Sequence, residues 1–439
     1  MRDIALALFV FGMVPFILMR PYVGLLVWSW LGYMNPYRLC YGFAISFPWV
    51  QLIAIVTLVS MLFNKERKTV KSSSTLILLF LLFAWTTLTT FYAVQSAHAW
   101  QTWEQFGKTL IMVLVTLMLV NDKKRMHWLI WVIVLSIGFY GFKGGWFTLV
   151  RGGAYHVYGP AKSFIADNND LAQALCMILP LMRYLQLQAT QKYMKIGLGA
   201  LMFVNGIGIL GTYSRGGLVA LAVVSAALFL KSRQRIMILI VFVGLGVTAY
   251  HFMPAQWIER MDTLHHARET DSGQTRIQSW KFASNVALHR PLVGGGFDVY
   301  ESAAMWQTYG PEDAVPRAVH SIYFRVLGEQ GFPGLVMFVA LLFVSWRNCA
   351  KVRRRTRDSP SDKWAFDLAS MLQVSLLAFM TAGLATTSTY FDLSYQIMAM
   401  CVLLKEILEA RTAESMVSGK GDTGQGDVAN GKALGLSGT

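Results

Sequence analysis

Apolar residues run along the chain in blocks separated by short polar connectors. The blocks lie near 4–19, 21–36, 45–63, 74–94, 107–121, 127–149, 171–189, 195–213, 216–231, 235–252, 320–346, 364–385 and 390–406. Most hold about 17–22 residues, the length of helix that crosses a hydrocarbon core about 30 Å thick. The pattern predicts an all-α polytopic membrane helix bundle of about 12 transmembrane helices, with a single domain over 1–411. The second block is short and interrupted by Arg20, Pro21, Pro36 and Arg38, so the first segments are expected to form a short or re-entrant piece; thirteen spans is the alternative. No signal-peptide cleavage site follows the first block, which is read as retained. No fixed-period repeat and no matched pair of broken helices is visible. Residues 412–439, rich in Gly, Ser and small polar side chains, read as a disordered cytoplasmic tail.

Composition agrees with the pattern: 55% of the 439 residues are hydrophobic and 14% charged, where a soluble domain carries about a quarter. That excludes a soluble enzyme. The formal charge of +15 suggests an anionic partner until the cations are placed. Arg2, the residues after 404 and the connectors 64–72, 122–126, 183–195, 231–235 and 347–363 hold 25 of the 39 Lys and Arg. Successive basic connectors are separated by two blocks, so all of them fit one side, the cytoplasmic one under the positive-inside rule, with both chain ends there. The charge is therefore mainly an orientation signal, and no nucleic-acid partner is expected. Cys40, Cys176, Cys349 and Cys401 show no metal-type spacing and are not expected to form disulfides.

The opposite, outer face receives residues 95–106, 150–170, the turn at 211–217 and a long connection at 253–319. A loop that long is usually functional or disordered. In TRIQSWKFASNVALH (275–289), Ile277, Trp280, Phe282, Ala283 and Val286 recur near helical spacing, and Arg290-Pro291 and Gly294-Gly295-Gly296 end the run. This predicts an amphipathic helix on the membrane surface, either a cover for the bundle or a part of the site. In GTYSRGGLVAL, Ser214 is placed to cap a helix that Arg215 opens. Free backbone N–H groups, glycines that admit a ligand and a guanidinium fork make an anion site there; the plain alternative is an arginine reaching for head groups. Arg276 opens another helix and supplies a second cation, which would suit a diphosphate. His320 precedes the next span and either caps it or acts as a general base, kept neutral by nearby arginines. Arg325 and Glu329, one turn apart, read as an intrahelical pair, and Gly331, Pro333 and Gly334 as a kink. Lys162, Asp167, Asn168, Asn169 and Asp170 would bind a sugar or form an ordinary turn. His265 and His266 are adjacent and lack a ligand framework, so no metal and no cofactor is expected.

SRGG at 214–217, SGQTRIQSW at 272–280, HRPLVGGGF at 289–297 and AVHSIYFRVLGEQGFPG at 318–334 together resemble the O-antigen ligase and O-antigen polymerase superfamily, and YMNPYRLCYGFA at 33–44 resembles the exosortase-A-associated O-glycosylation ligases. The resemblance implies a metal-independent inverting glycosyltransferase of the bacterial inner membrane with a large periplasmic loop, acting as a monomer among membrane lipids. Its donor would be a glycan on undecaprenyl diphosphate, the polyprenyl tail lying between spans, and its acceptor the lipid A core of lipopolysaccharide. By motif position His320 is the general base and Arg215 and Arg276 hold the diphosphate. Ser214, Gly216, Tyr213 and Lys162 complete the donor site. The family often shows SGR where this chain has Ser272-Gly273-Gln274, so its basic residue is displaced to Arg276. A polymerase or a protein O-glycosylation ligase would use the same donor, and a lipid-linked oligosaccharide transporter is the non-enzymatic alternative.

Overall fold

The computed structural model describes residues 1–64, 73–231, 235–262, 271–312 and 315–423. His265, His266, most of the 64–72 connector and the tail from 424 lie outside the described residues. Within them the chain is all-helical, with no strand. The helices are α1 (Arg2–Met19), α2 (Pro21–Met34), α3 (Trp49–Phe63), α4 (Ser74–Phe91), α5 (Ser96–Leu119), α6 (Lys123–Val150), α7 (Asn168–Gln188), α8 (Lys192–Gly211), α9 (Arg215–Lys231), α10 (Arg235–Phe252), α11 (Ala255–Asp262), α12 (Asp271–His289), α13 (Ala303–Tyr309), α14 (Ile322–Thr356), α15 (Lys363–Ala382) and α16 (Asp392–Thr423). Among them α1, α4, α6, α8, α14 and α15 are long and apolar enough to cross a membrane. The last helix continues to Thr423, across the first part of the segment read as tail.

α7 is the axis of the bundle. Every side chain from Leu171 to Gln186 is buried, and it packs on α6, α8, α9 and α15. A helix covered on all sides tolerates polar residues only where partners are built in. Accordingly the Gln173 Oε1 accepts from Thr386 Oγ1 (2.7 Å) and from Ser388 Oγ. α6 and α8 meet at small residues: a Cβ on Gly145 would stand 2.0 Å from the Val204 carbonyl oxygen, an approach that only glycine permits.

The N-terminal segments differ from the expectation of a re-entrant piece. Asp3 at the start of α1 accepts hydrogen bonds from the backbone N–H of Gly42 (2.9 Å) and Ala44 (3.2 Å), ahead of α3. At the other end Ser60 Oγ and Asn64 Nδ2 of the α3 terminus donate to the Ile17 and Leu18 carbonyls at 2.6 and 2.8 Å. α1 therefore runs the full length of α3, parallel to it. Arg2, which donates to the Leu39 carbonyl, consequently lies at the end of the bundle opposite Asn64. Arg411, paired with Asp362 at 3.1 Å, belongs to the end that carries the basic connectors. Arg2 and Arg411 thus lie at opposite ends of the bundle, because α1 runs beside α3 along its whole length.

α14 kinks at Gly331 (φ 67°, ψ −171°), as its glycines and Pro333 predict. The backbone groups that the kink frees are taken up by the strip after α12. Gly295 N donates to the Gly328 carbonyl (2.8 Å), Gly296 N to the Glu329 carbonyl (2.9 Å), and Phe332 N to the Pro291 carbonyl (2.9 Å). Hydrogen bonding of this kind is what makes irregular backbone tolerable in a membrane bundle.

Candidate functional site

The starts of α7, α9 and α14 converge at the end of the bundle opposite the basic connectors. Each start is shaped by local chemistry. Asp167 caps α7, its Oδ1 accepting from Asn169 N (2.8 Å). Ser214 caps α9 as its position predicts, Oγ accepting from Gly217 N at 3.0 Å. The same hydroxyl donates to Asn169 Oδ1 (2.7 Å) and so ties the two helix starts together. α14 begins beside the α15–α16 turn, with Ile322 N donating to the Gly383 carbonyl (2.8 Å).

Arg215 occupies the first position of α9 and is buried, with the backbone N–H groups of the first turn around it. Gly216 plays a different part from ligand admission: a Cβ there would stand 2.7 Å from the Ala385 Cβ, and one on Gly217 2.6 Å from the Ala172 Cβ. Both absences let α9 seat closely between α7 and the α15–α16 turn, which leaves the peptide N–H, not the missing side chain, as what Gly216 can offer an anion. Tyr213 adopts a left-handed backbone (φ 57°). Its hydroxyl donates to the Gly153 carbonyl at 2.6 Å and its ring meets His156 edge-on at 4.3 Å. It anchors the 150–170 loop over the helix starts.

His320, also left-handed (φ 46°), stands just before α14. Outlying backbone of this kind persists only where the surroundings impose it. Burial holds its imidazole below the ordinary histidine range, the Arg276 guanidinium adds to that effect, and the Asp167 carboxylate opposes it. The structure therefore brings His320, Arg276 and Asp167 within electrostatic reach of one another and connects them, through Asn169, to Ser214 and Arg215. A neutral imidazole beside guanidinium groups is chemically suited to accept a proton near an anion. Asp167 and Asn169, which the sequence offered as sugar ligands or an ordinary turn, are placed by the structure beside His320 and Ser214, a contact that Asp-Asn-Asn before an apolar helix does not signal. Lys162 lies elsewhere, on the wall of a cavity of about 800 Å³ between α2, α3 and α5.

α12 packs along α14 beside His320. Its apolar face is covered by protein, which modifies the surface-helix expectation. Phe282 stacks on Trp306 (4.1 Å between centroids, 4° between planes) in a small core with Val286, Val299 and Met305, and Trp280 stacks on Phe324 of α14 (5.1 Å, 9°). Arg276 is thus carried on a helix fixed to α14, the helix that His320 introduces. Beneath it the Arg325–Glu329 pair (Nε–Oε1 3.0 Å) is present as expected but belongs to a larger network. Arg325 Nη2 also reaches Asp298 Oδ1 (3.1 Å), Nη1 the Thr387 carbonyl (2.7 Å), and Tyr390 donates to Glu329 Oε2 (2.7 Å). Every charge in this buried set is paired, and the network joins the outer connection, α14 and the α15–α16 turn.

Residues 200–339 match the family described as O-antigen ligase. Residues 1–190 match a family of unknown function, DUF5935. No curated protein matches the chain. The matched ligase segment contains Ser214, Arg215, Arg276 and His320, whereas Asp167, Asn169 and Lys162 fall in the other.

Proposed function

With residues 200–339 a domain of the O-antigen ligase and polymerase superfamily in a multi-pass membrane protein, we propose that the chain is an O-antigen ligase. It transfers a glycan from undecaprenyl diphosphate to a hydroxyl of the lipid A core at the periplasmic face of the bacterial inner membrane, with inversion. The observation that carries this reading is the junction of His320, Arg276 and Asp167 with the Ser214–Arg215 helix start, through Asn169.

In this scheme Arg215, the N–H groups of the first turn of α9, and Arg276 hold the diphosphate. Guanidinium groups match phosphate oxygens in pairs and neutralise charge that grows as the bond from the anomeric carbon to the diphosphate oxygen breaks. His320 removes the proton of the acceptor hydroxyl as its oxygen attacks the opposite side of that carbon. The diphosphate departs with the bonding electron pair, and the proton stays on His320 until solvent takes it. Asp167 steadies the imidazolium formed on the way. The polar members gather at one end of the bundle, which favours a surface reaction over passage of the glycan through the midplane.

The test is reconstitution of purified protein with undecaprenyl-diphosphate glycan and rough lipopolysaccharide. Glycan appearing on the lipid A core supports the ligase. Lengthening of lipid-linked glycan alone would replace it with the polymerase, and transfer to protein hydroxyls only would replace it with the protein ligase.

A further inference from the structure

The cavity that Lys162 lines is an open groove on the membrane-facing side of the N-terminal segment. α2 forms its floor through Trp28 and Gly32, and α3 and α5 form its walls. Along α3 it runs from Val50 past Ala54 and Ile55 to Leu58, about 12 Å at 1.5 Å per residue. Ile55, Leu58 and Ile111 expose much of their surface there. The opposite character appears in Arg38, Lys108 and Lys162, which line it from three separate elements. Arg38 Nε is buried with no hydrogen-bond partner among the described residues. Lys108 is paired with Glu104 at 2.6 Å in an exposed contact of the kind that contributes little. Asp392 is the acidic member of the lining, against three cations. A groove of about 800 Å³ with apolar walls and three cations in its lining fits an amphiphile with an anionic head.

We infer that this groove, built by the segment of unknown function, is the acceptor site, and that its occupant is a phosphorylated acyl lipid whose phosphate lies among Arg38, Lys108 and Lys162 and whose chain lies along α3. The inference rests on the ligase reading above. Charge complementarity selects the class, and two further observations select the role. Inversion requires the nucleophile to arrive from the side of the sugar away from the diphosphate, and the groove is built from different elements than α9 and α12, which carry Arg215 and Arg276. One loop also joins the two places: Lys162, Ser163 and Phe164 line the groove, and Asp167, three residues on, acts on His320. Gln105 and Phe164 in turn border a smaller cavity of about 130 Å³ that reaches Arg325 and Tyr390. The membrane-facing wall assigns the acceptor to a lipid, where a soluble or protein acceptor would need no apolar groove.

Two measurements on the full-length protein test this. A photoreactive benzoylphenylalanine at Ile55 should crosslink to rough lipopolysaccharide in nanodiscs that also contain phosphatidylglycerol and undecaprenyl diphosphate. Crosslinking to undecaprenyl diphosphate instead, or to phosphatidylglycerol undiminished by lipopolysaccharide, overturns the assignment. In the transfer assay Arg38→Glu and Leu58→Trp should raise KM for lipopolysaccharide about tenfold, equivalent to about 1.4 kcal/mol, with KM for the donor unchanged; a rise in donor KM alone also overturns it. Dephosphorylated rough lipopolysaccharide should show the same weakening with the unaltered protein. If no acceptor is glycosylated at all, the ligase reading fails, while the crosslink still reports independently which lipid the groove holds.

Discussion

His320 carries two features that meet at one atom group: a left-handed backbone that its surroundings impose, and an imidazole held below its ordinary range by burial and by Arg276. As the base of the proposed reaction, such an imidazole is neutral at pH 7 and loses function only when acid protonates it. The acid limb of kcat/KM is therefore expected below the ordinary histidine range, about 6.5. Because Asp167 opposes the shift, Asp167→Asn should move that limb to lower pH still; a limb unmoved by the substitution would remove Asp167 from the site. His320→Ala should reduce turnover by about 10² to 10⁴-fold while donor binding, followed by retention of radiolabelled lipid, persists. Arg215→Lys should cost about 10²-fold in kcat, since a point charge on a flexible stem cannot reproduce the paired contacts. Near-normal turnover would reduce Arg215 to a packing role between α7 and the α15–α16 turn.

At the scale of elements, the kink in α14 is the piece on which the site rests. Gly331 has φ 67°, and a Cβ there would stand 2.3 Å from the Leu292 carbonyl oxygen. Gly331→Ala should destabilise the protein by about 1–3 kcal/mol, read as a lower Tm in detergent. Gly197, with nothing within 4 Å of an added Cβ, is the control whose replacement should leave Tm unchanged or raise it. Helix identity and the kink were legible from periodicity, Gly and Pro. The partner of the kink was not, because the strip at 291–296 contributes backbone groups, and backbone hydrogen bonding leaves no residue-type signature beyond the glycines themselves. α7 shows a similar limit: its polar residues lower its hydropathy, yet it is buried on every side from Leu171 to Gln186, since Gln173 has its partners built in from the 386–388 turn.

For the whole molecule, the arrangement of α1 beside α3 places Arg2 and Arg411 on opposite faces. Cysteines introduced at Arg2 and at the exposed Tyr41 should label with an impermeant maleimide from one side, and one at Asn64 from the other; equal labelling of all three from one side would return α1 to a re-entrant segment. Transfer should also continue in EDTA, since fixed guanidinium groups carry the charge neutralisation in the proposed scheme. Loss of activity with rescue by a divalent ion would overturn that part.

The sequence by itself determined that the chain is a bundle of apolar helices, that its basic connectors share one face, and that SRGG and AVHSIYF stand where helices begin; α12 instead begins at Asp271, so Arg276 lies in its second turn rather than opening it. Those properties depend on period, length and residue type, which are local. Only the tertiary structure decided that Asp167 and Asn169 join His320 and Ser214, that Gly216 packs closely on the α15–α16 turn, that α1 runs the full length of α3, and that Lys162 lines a groove between α2, α3 and α5. Each of those depends on which surfaces close on one another. Packing among near-equivalent apolar helices is chosen by a few small residues and paired polar groups, and one sequence read along its length does not rank those choices.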